Sequence, residues 1–344
     1  MNKGCRFGTH RVLEPKGTLP QPAQKLDNTM SIYDNEILID VVTLNIDSAS
    51  YTQIRQSCND DADKMKEMIT SIVSERGKMQ NPVTGSGGML IGVIKEIGPN
   101  FPDKKLKVGD KIATLVSLSL TPLKLDEIIK LEAKSDQVDV KAQAILFASG
   151  IYAVLPSDIP EKLALAALDV AGAPAQVDRL VKEGDTVCII GGGGKSGILC
   201  CYQAMKNVGP FGKVIVVEYS EENAQRIRDL NLAHHVIVAD ATNVMDVYKK
   251  VTEITTERGC DVTINNVNVQ STEMTSILIT KGQGLIYFFS MATSFTKAAL
   301  GAEGVGKDLN LIVGNGYAKG HADLTINILR ESESIRKLFE KLYV

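Results

Sequence analysis

The stretch VCIIGGGGKSGILCC, residues 187–201, places a run of glycines between an apolar strand pattern and an apolar helix pattern. Gly192, Gly194 and Gly197 follow the spacing G-x-G-x-x-G. In such a turn one glycine permits the tight bend, the second lets the backbone approach a phosphate, and the third lets the helix pack on the strand. The helix N-terminus adds unpaired N–H groups and positive dipole charge. The stretch therefore predicts a dinucleotide-binding turn in a doubly wound α/β sheet.

The acid that ends the next apolar strand indicates which dinucleotide the turn holds. The run KVIVVE ends at Glu218, which lies 21 residues after Gly197. A carboxylate there accepts the ribose hydroxyls and repels a 2′-phosphate, so the pattern favours NAD over NADP. Lys195 and Ser196 are candidates for contact with the pyrophosphate, although a solvated Lys195 fits the sequence equally well. Ser290 is a weaker candidate on the cofactor side.

The rest of the sequence divides into two patterns. In the first, a partly alternating strand at 37–46, a polar helical stretch at 51–76 and short strands with glycine-rich turns predict a β-rich, partly closed barrel. In the second, apolar strands alternate with helices, which predicts a parallel sheet covered on both faces. We expect a catalytic domain at 1–160 and a nucleotide-binding domain at 161–320. The helical segment 321–344 is expected to fold back onto the first domain.

Composition argues against several function classes. The 344 residues are 44% hydrophobic and 23% charged, an ordinary balance for a globular chain. The net charge is −3 without a basic block, which argues against nucleic-acid partners. We find neither an apolar run of about 18 residues nor an apolar signal segment, and we expect a cytoplasmic protein. The six cysteines form no C-x-x-C pair and are expected to be reduced and mostly buried.

A β-rich domain followed by a nucleotide-binding domain, with the blocks ILIDVVTLNIDSAS, GVIKEIGPN and KLKVGDKIA, resembles the medium-chain dehydrogenase/reductase superfamily. The resemblance implies a GroES-like catalytic domain joined to a Rossmann domain. In zinc-dependent members the first metal ligand is a cysteine, and the matching position here is near Asp47. Their glycine-histidine-glutamate block is replaced by Gly87, Gly88 and Met89, and no cysteine occurs at 166–169, near the third ligand. Because catalytic zinc needs three protein ligands, we predict a metal-independent protein.

A narrower resemblance runs from residue 4 to the C-terminus. Six long and unusual stretches are similar to the L-erythro-3,5-diaminohexanoate dehydrogenase family: GCRFGTHRVLEPKGTLPQPA, LNIDSASYTQI, ERGKMQNPVTGSGGMLIG, KVGDKIATLVSLSLTPL, ALAALDVAGAPAQV and YFFSMATSFTKAALGAEGVGKD. The family implies NAD-dependent oxidative deamination of 3,5-diaminohexanoate to 5-amino-3-oxohexanoate in anaerobic lysine fermentation, with release of ammonium. The residues alone leave two alternatives open: a zinc-independent NADPH quinone or enoyl reductase, and a non-catalytic nucleotide-binding sensor.

Metal-free deamination requires a carboxylate that anchors the substrate ammonium and takes its proton. Asp47, at the superfamily's catalytic position, is the first candidate, and the alternative is an N-cap or turn aspartate ahead of Ser48. Tyr51 either contacts substrate or packs in the core. Asp169 lies in the apolar run ALAALDVAGA, where a carboxylate is costly unless it is paired or functional, so it is the second candidate. The alternative for Asp169 is a structural hydrogen bond to backbone.

The implied substrate carries two ammonium groups and one carboxylate, so we expect more acids than bases around it. Three cations in or near the family-like stretches are candidates for its carboxylate, with solvated side chains as the alternative: Arg6, Arg11 and Lys78. Weaker polar candidates for substrate binding are Ser48, Thr84 and Ser86. Three apolar residues close to these candidates are expected in the core instead: Met89, Phe288 and Met291.

The apolar run DLNLIVGNG, residues 308–316, is expected to form the edge strand of the nucleotide-binding sheet. In the medium-chain superfamily that edge commonly pairs across a two-fold axis. An apolar strand edge that stays exposed is an aggregation hazard. We therefore predict a homodimer that pairs this edge.

Overall fold

The computed structural model describes residues 1–131, 136–290, 292–314 and 316–344, and it leaves the side chain of Ser48 undescribed. The chain divides into two units, Met1–Ile159 and Pro160–Val344. Within the described ranges, no helix is both long enough and apolar enough to cross a lipid bilayer. Met89 and Phe288 are buried as expected, whereas Met291 lies outside the described residues.

The first unit is built on antiparallel strands. In chain order they are β1 Val12–Glu14, β2 Lys25–Leu26, β3 Glu36–Ile46, β4 Gly88–Ile97, β5 Lys111–Thr114, β6 Leu123–Leu131, β7 Gln137–Phe147 and β8 Tyr152–Val154. β1 pairs with β2, and the other six form one sheet in the order β6-β7-β3-β4-β5-β8, with every neighbour antiparallel. The long central strand β3 confirms the strand predicted at 37–46.

The predicted polar helical stretch is helical but forms two helices, α1 Ser48–Ser57 and α2 Ala62–Arg76. The break falls where Asn59 and Asp60 adopt the left-handed conformation, with φ of 52° and 59°. A left-handed residue ends an α-helix, and asparagine and aspartate tolerate this conformation better than most residues. Asp61 then caps the N-terminus of α2. α1 begins directly after β3, with only Asp47 between them.

Arg11 is fully buried and its guanidinium serves the fold. Two of its nitrogens, Nε and Nη2, each donate to a different oxygen of Glu36 at 2.7 Å. Its remaining donors reach backbone carbonyls, including those of Thr29 and Ser31 at 2.7 Å. Burial opposes ionisation of Glu36, but hydrogen bonds from Arg11 and His10 outweigh it and hold the pKa of that carboxyl below its ordinary value. The prediction that Arg11 binds a substrate carboxylate is therefore wrong.

Lys78 is also internal. Its side chain is fully buried, and Nζ donates to the carbonyls of Pro20 and Gln21 at 2.7 and 3.0 Å. Burial, with a smaller contribution from the Arg76 charge, lowers the pKa of Lys78 to about 7. The side chain thus joins the segment after α2 to the N-terminal segment, and the prediction that it meets a substrate carboxylate is wrong.

The second unit is a parallel sheet. Its strands are β9 Thr186–Ile190, β10 Lys213–Glu218, β11 His235–Val238, β12 Cys260–Asn265, β13 Thr280–Phe288 and β14 Asn310–Val313. They lie in the order β11-β10-β9-β12-β13-β14, and every pair is parallel. Counted from β9, this is the order 3-2-1-4-5-6 of the Rossmann fold. The predicted parallel sheet is confirmed, and its switch point falls between β9 and β12.

Helices connect and cover these strands. They are α3 Glu161–Leu168, α4 Gly172–Leu180, α5 Lys195–Val208, α6 Glu221–Asp229, α7 Val244–Thr255, α8 Glu273–Ile279, α9 Phe295–Gly304, α10 His321–Glu331 and α11 Glu333–Tyr343. The helical run after residue 160 is broken between α3 and α4. Pro174 explains the break, because its nitrogen has no hydrogen to donate to the carbonyl four residues earlier.

The two C-terminal helices pack against earlier helices of the chain. α10 packs on α3, α4 and α5, and α11 packs on α3, so both belong to the second unit. Their apolar side chains explain this placement: Ile326, Ile328, Leu329, Ile335 and Phe339 are all buried. The structure thus groups residues 321–344 with the second unit, and their predicted folding back onto the first domain stays a prediction.

Candidate cofactor and catalytic sites

The turn between β9 and α5 is as tight as its sequence predicts. α5 begins at Lys195 with Gly194 as its N-cap. A Cβ atom on Gly197 would lie 2.1 Å from the carbonyl oxygen of Gly191, and one on Gly192 would lie 2.5 Å from Val216 Cγ1. A Cβ atom on Gly194 would meet nothing within 4 Å. Two glycines therefore permit close packing, and the third leaves open space in front of the helix N-terminus.

Glu218 ends β10 beside this turn, and its carboxylate accepts hydrogen bonds from backbone N–H groups. The residue is 7% exposed. Oε2 accepts from Gly193 N at 2.8 Å, and Oε1 accepts from the nitrogens of Tyr219 and Ser220 at 3.0 and 3.2 Å. A carboxylate has about four acceptor positions, so roughly one remains for a ligand hydroxyl. The contact with Gly193 also fixes the turn relative to the end of β10.

A cleft of about 760 Å³ lies at the carboxyl edge of the parallel sheet, where ligands bind in this class of fold. Four predicted residues line it: Gly194, Lys195, Ser196 and Glu218. The other polar residues of the cleft were not predicted from the sequence; they are Tyr219, Asn223, Asp240, Thr242, Asn266, Asn268 and Thr272. Several of these follow the apolar runs HVIV and CDVTI, and their places after parallel strands could have identified them.

Asn266 has an unsatisfied side-chain amide in this cleft. Apart from a contact with the buried Cys200 thiol, which is a weak hydrogen-bonding group, neither Oδ1 nor Nδ2 has a partner among the described residues. Both atoms are buried, and buried amides in folded proteins are normally paired. A dinucleotide offers hydroxyl, amide and phosphate groups. The unsatisfied amide, the open helix N-terminus and the carboxylate of Glu218 therefore fit such a ligand.

Asp169, which lies in the apolar run ALAALDVAGA, reaches solvent. It follows the last residue of α3, and its side chain is 39% exposed. Oδ2 lies 3.0 Å from Nζ of Lys195, and that ammonium also lies 5.5 Å from the ring centroid of Tyr343. The side-chain partner of Asp169 is a lysine, so the expected structural hydrogen bond to backbone is not observed, and a catalytic role for Asp169 stays a prediction. Asp169 thus holds a lysine of the glycine turn.

Ser290 follows β13 and is not among the described residues that line the cleft beside the glycine turn. Its Oγ accepts from Ala292 N at 3.1 Å, and its own N–H donates to the carbonyl of Asn265 at 3.4 Å. These contacts stabilise the loop after the strand. A role in cofactor binding stays a prediction.

In the first unit, Asp47 lies between β3 and α1 and has two kinds of partner. Oδ1 accepts from Ser50 N at 3.0 Å, which makes Asp47 the N-cap of α1. Oδ2 accepts from Ser86 Oγ at 2.7 Å. The N-cap role that the sequence left open for Asp47 is therefore observed. It uses only one of the two carboxylate oxygens. The half-buried second oxygen is held by a hydroxyl.

Three hydroxyl groups cluster beside Asp47, and we call Ser50, Thr84 and Ser86 the hydroxyl cluster. Ser50 Oγ lies 2.6 Å from Thr84 Oγ1 and 2.9 Å from Ser86 Oγ. Thr84 and Ser86 were expected as weak polar candidates. Ser50, which is fully buried, was missed. The sequence signal for Ser50 was its position three residues after an N-cap aspartate, because the backbone N–H at that position is the one that the cap side chain binds.

Three other candidates have different outcomes. Tyr51 is 2% exposed and packs in the core with Ile46 and Ile54, so its packed alternative is the observed one. Arg6 is exposed, with its guanidinium carbon 5.2 Å from the ring centroid of Phe7. The Ser48 side chain lies outside the described part of the chain. Among the described residues, no three His, Cys, Asp or Glu side chains group so as to hold a metal ion.

Sequence comparison decides the family. The L-erythro-3,5-diaminohexanoate dehydrogenase of Acetoanaerobium sticklandii is 58% identical over 343 residues, 99% of this chain and 100% of that protein. The protein of the same name from Fusobacterium nucleatum is 59% identical over the full length of both chains. The chain belongs to the L-erythro-3,5-diaminohexanoate dehydrogenase family. A sequence profile of this family's N-terminal domain matches residues 10–156.

Solved structures confirm the fold of this family member. CurK enoyl reductase superposes with a TM-score of 0.57 at 15% identity, over 89% of this chain and 82% of that one. An alcohol dehydrogenase from Thermotoga maritima superposes with a TM-score of 0.56 at 15% identity, over 91% of this chain and 86% of that one. The protein thus has a GroES-like unit and a Rossmann unit. A dehydrogenase with this fold uses a nicotinamide cofactor.

The glycine geometry generates a paired test. In Gly197→Ala the new methyl group meets the Gly191 carbonyl, and overpacking of about 1–3 kcal/mol should lower Tm by on the order of 5 °C. In Gly194→Ala no atom is within reach, so Tm should stay unchanged while titration with reduced nicotinamide cofactor shows weaker binding. If Gly197→Ala kept the Tm of the parent, the close packing described here would be refuted.

Proposed function

We propose that this protein catalyses the NAD-dependent oxidative deamination of L-erythro-3,5-diaminohexanoate to 5-amino-3-oxohexanoate in anaerobic lysine degradation. The observation that carries the proposal is the identity of 58% and 59%, over essentially the whole chain, to two dehydrogenases named for this substrate. The resemblances to enoyl reductases stand at about 15% identity and bear on the fold alone. A quinone or enoyl reductase is therefore the weaker alternative, and a sensor without catalysis is weaker still.

The first test compares these activities directly. With NAD⁺ and the diamino acid, absorbance at the reduced-nicotinamide band should rise. With NADPH and a quinone, it should not fall faster than in a protein-free control. Oxidation of NADPH by the quinone, without any reaction of the diamino acid, would favour the reductase alternative.

The residues of the Rossmann unit support NAD as the cofactor. The open N-terminus of α5 suits the pyrophosphate, the remaining acceptor position of Glu218 suits a ribose hydroxyl, and Asn266 supplies an unsatisfied amide. When bound, the cofactor accepts the hydride released from C3 of the substrate. Lys195, held by Asp169, lies beside the turn and adds a positive charge.

Glu218 generates a test of cofactor preference. Because its carboxylate repels a 2′-phosphate, NAD⁺ should bind at least ~10-fold tighter than NADP⁺, or ~1.4 kcal/mol. Glu218→Gln removes the charge and keeps one oxygen acceptor, so it should shrink the ratio, although the backbone N–H groups on one side of the carboxylate lose their acceptor and Tm should fall slightly. Glu218→Ser should shrink it further. Equal affinities in the parent protein, measured by calorimetric titration, would remove Glu218 from the cofactor site.

We propose that Asp47 accepts the proton of the C3 ammonium. Only the neutral amine has the lone pair that drives hydride departure, and a carboxylate is a suitable base. The carbon left behind is an iminium, which water converts to the ketone and ammonium. For the substrate carboxylate, Arg6 is the remaining candidate among the three cations, because Arg11 and Lys78 are internal.

Asp47→Asn tests this assignment. The amide keeps an oxygen to cap α1 but cannot take the proton, so kcat should fall by on the order of 10²–10⁴-fold while NAD binding and Tm survive. Asp169→Asn is the companion variant, and its main effect should fall on cofactor affinity through Lys195. Turnover by Asp47→Asn within about threefold of the parent would make Asp47 a capping residue only.

We also propose a homodimer formed through β14. This strand is the end of the parallel sheet, its free edge is unpaired in the described part of the chain, and Val313 is 57% exposed. Pairing across a two-fold axis would satisfy the open backbone groups of the edge. Light scattering at micromolar concentration should give twice the chain mass, and a strict monomer would contradict the proposal.

Two further properties complete the proposal. A cytoplasmic location is supported by the six cysteines, which are all free thiols. Zinc independence is supported by the replacement of the superfamily's metal-binding block by Gly87, Gly88 and Met89.

A further inference from the structure

The proposed reaction leaves one proton to be removed in each turnover. A C3 ammonium, NAD⁺ and water give a ketone, NADH, ammonium and one proton. The iminium and water together supply all the hydrogens of the ketone and the departing ammonium. The proton that Asp47 takes at the start is therefore not used later and must leave the carboxylate before the next substrate reacts. This inference rests on the proposed function.

We propose that the hydroxyl cluster carries this proton from Asp47 to solvent, in the order Ser86, Ser50, Thr84. The successive distances are 2.7 Å from Asp47 Oδ2 to Ser86 Oγ, 2.9 Å from there to Ser50 Oγ, and 2.6 Å from there to Thr84 Oγ1. All three lie within the range of O–H···O hydrogen bonds. The chain begins at a half-buried carboxylate, passes through a fully buried serine and ends at an exposed threonine.

Donor and acceptor counting gives the chain its direction. An ionised carboxylate only accepts, so Ser86 must donate its single hydroxyl hydrogen to Asp47. Ser86 is then left to accept, and Ser50 can donate to it while accepting from Thr84. In this state all the hydroxyl hydrogens point towards Asp47. Outward transfer therefore begins with a rotation of the three hydroxyls, after which Ser86 accepts from protonated Asp47 and donates to Ser50, and Ser50 donates to Thr84.

The transfer balances at each oxygen. After this rotation, protonated Asp47 loses its O–H bond as Ser86 gains one, Ser86 passes its former hydrogen to Ser50, and Ser50 passes its own to Thr84; the new hydrogens again point towards Asp47. Thr84 then releases a proton to water or to a buffer base. Each hydroxyl ends with one hydrogen, and the carboxylate is again ionised. No oxidant or other reactant is needed.

The segment that carries Thr84 and Ser86 is fixed in place by Asn81. This fully buried side chain accepts from Val83 N at 2.8 Å and donates to Gln53 Oε1 on α1 at 2.6 Å. A purely structural role for the cluster would be to join this segment to α1. Such a role affects Tm, but it gives no dependence of turnover on buffer concentration.

Thr84→Val is the decisive variant. Valine keeps the shape of threonine and removes the hydroxyl at the exposed end, including the direct contact of 3.1 Å between Thr84 and Ser86 that bypasses Ser50. We expect kcat in dilute buffer to fall at least ~10-fold, with KM for the diamino acid and Tm unchanged. Raising the concentration of imidazole, a small proton acceptor, should restore kcat in this variant and leave the parent unaffected.

Two further variants complete the experiment. Ser50→Ala leaves the 3.1 Å bypass, so it should reduce kcat less than Thr84→Val does. Thr52→Val, on the exposed side of α1 and outside the cluster, should behave as the parent with and without imidazole. The solvent deuterium isotope effect on kcat should rise in Thr84→Val and not in Thr52→Val.

The possible results separate this inference from the proposed function. If Asp47→Asn is slow but Thr84→Val turns over as fast as the parent, the relay is overturned and the role of Asp47 stands. A slow Thr84→Val with raised KM and no imidazole rescue assigns Thr84 to substrate binding and also overturns the relay. If Asp47→Asn itself reacts normally, both the base and its relay are rejected.

Discussion

The absence of a side chain at Gly197 is the constraint on which the candidate cofactor site depends. It lets α5 start directly beneath the Gly191 carbonyl, at a distance where a Cβ atom would lie 2.1 Å from that oxygen. The helix N-terminus therefore opens onto the carboxyl edge of the sheet. The hydrogen bond from Gly193 N to Glu218 then ties the turn to β10, which brings the helix N-terminus and the Glu218 carboxylate to the same edge of the sheet.

Asp47 combines an observed structural role with the catalytic role proposed for it. Its two oxygens have different partners, since one caps α1 and the other accepts from Ser86. The cap fixes the carboxylate on a rigid element, which is what a proton acceptor requires if it is to meet a substrate in a defined position. The fully buried Ser50 joins the two roles, because its N–H completes the cap and its hydroxyl enters the cluster.

Sequence reasoning located the features that depend on local patterns and failed where partners are distant. The glycine turn and Glu218 follow from spacing and strand periodicity, and the parallel sheet follows from continuous apolar strands. Arg11 and Lys78 were predicted to bind a substrate carboxylate because the residues next to them in sequence do not show their hydrogen-bond acceptors. Glu36 lies 25 residues from Arg11, and Pro20 lies 58 residues from Lys78. Burial of such cations is a property of the tertiary structure.

The stoichiometry of the reaction tests the central claim most directly. Purified protein is incubated with NAD⁺ and L-erythro-3,5-diaminohexanoate, and NADH, ammonium and released protons are measured over the same interval. The account predicts that the three appear in equal amounts, because one hydride, one amine and the proton taken by the base leave in each turnover. NADH formation without ammonium, or no NADH at all, would contradict it.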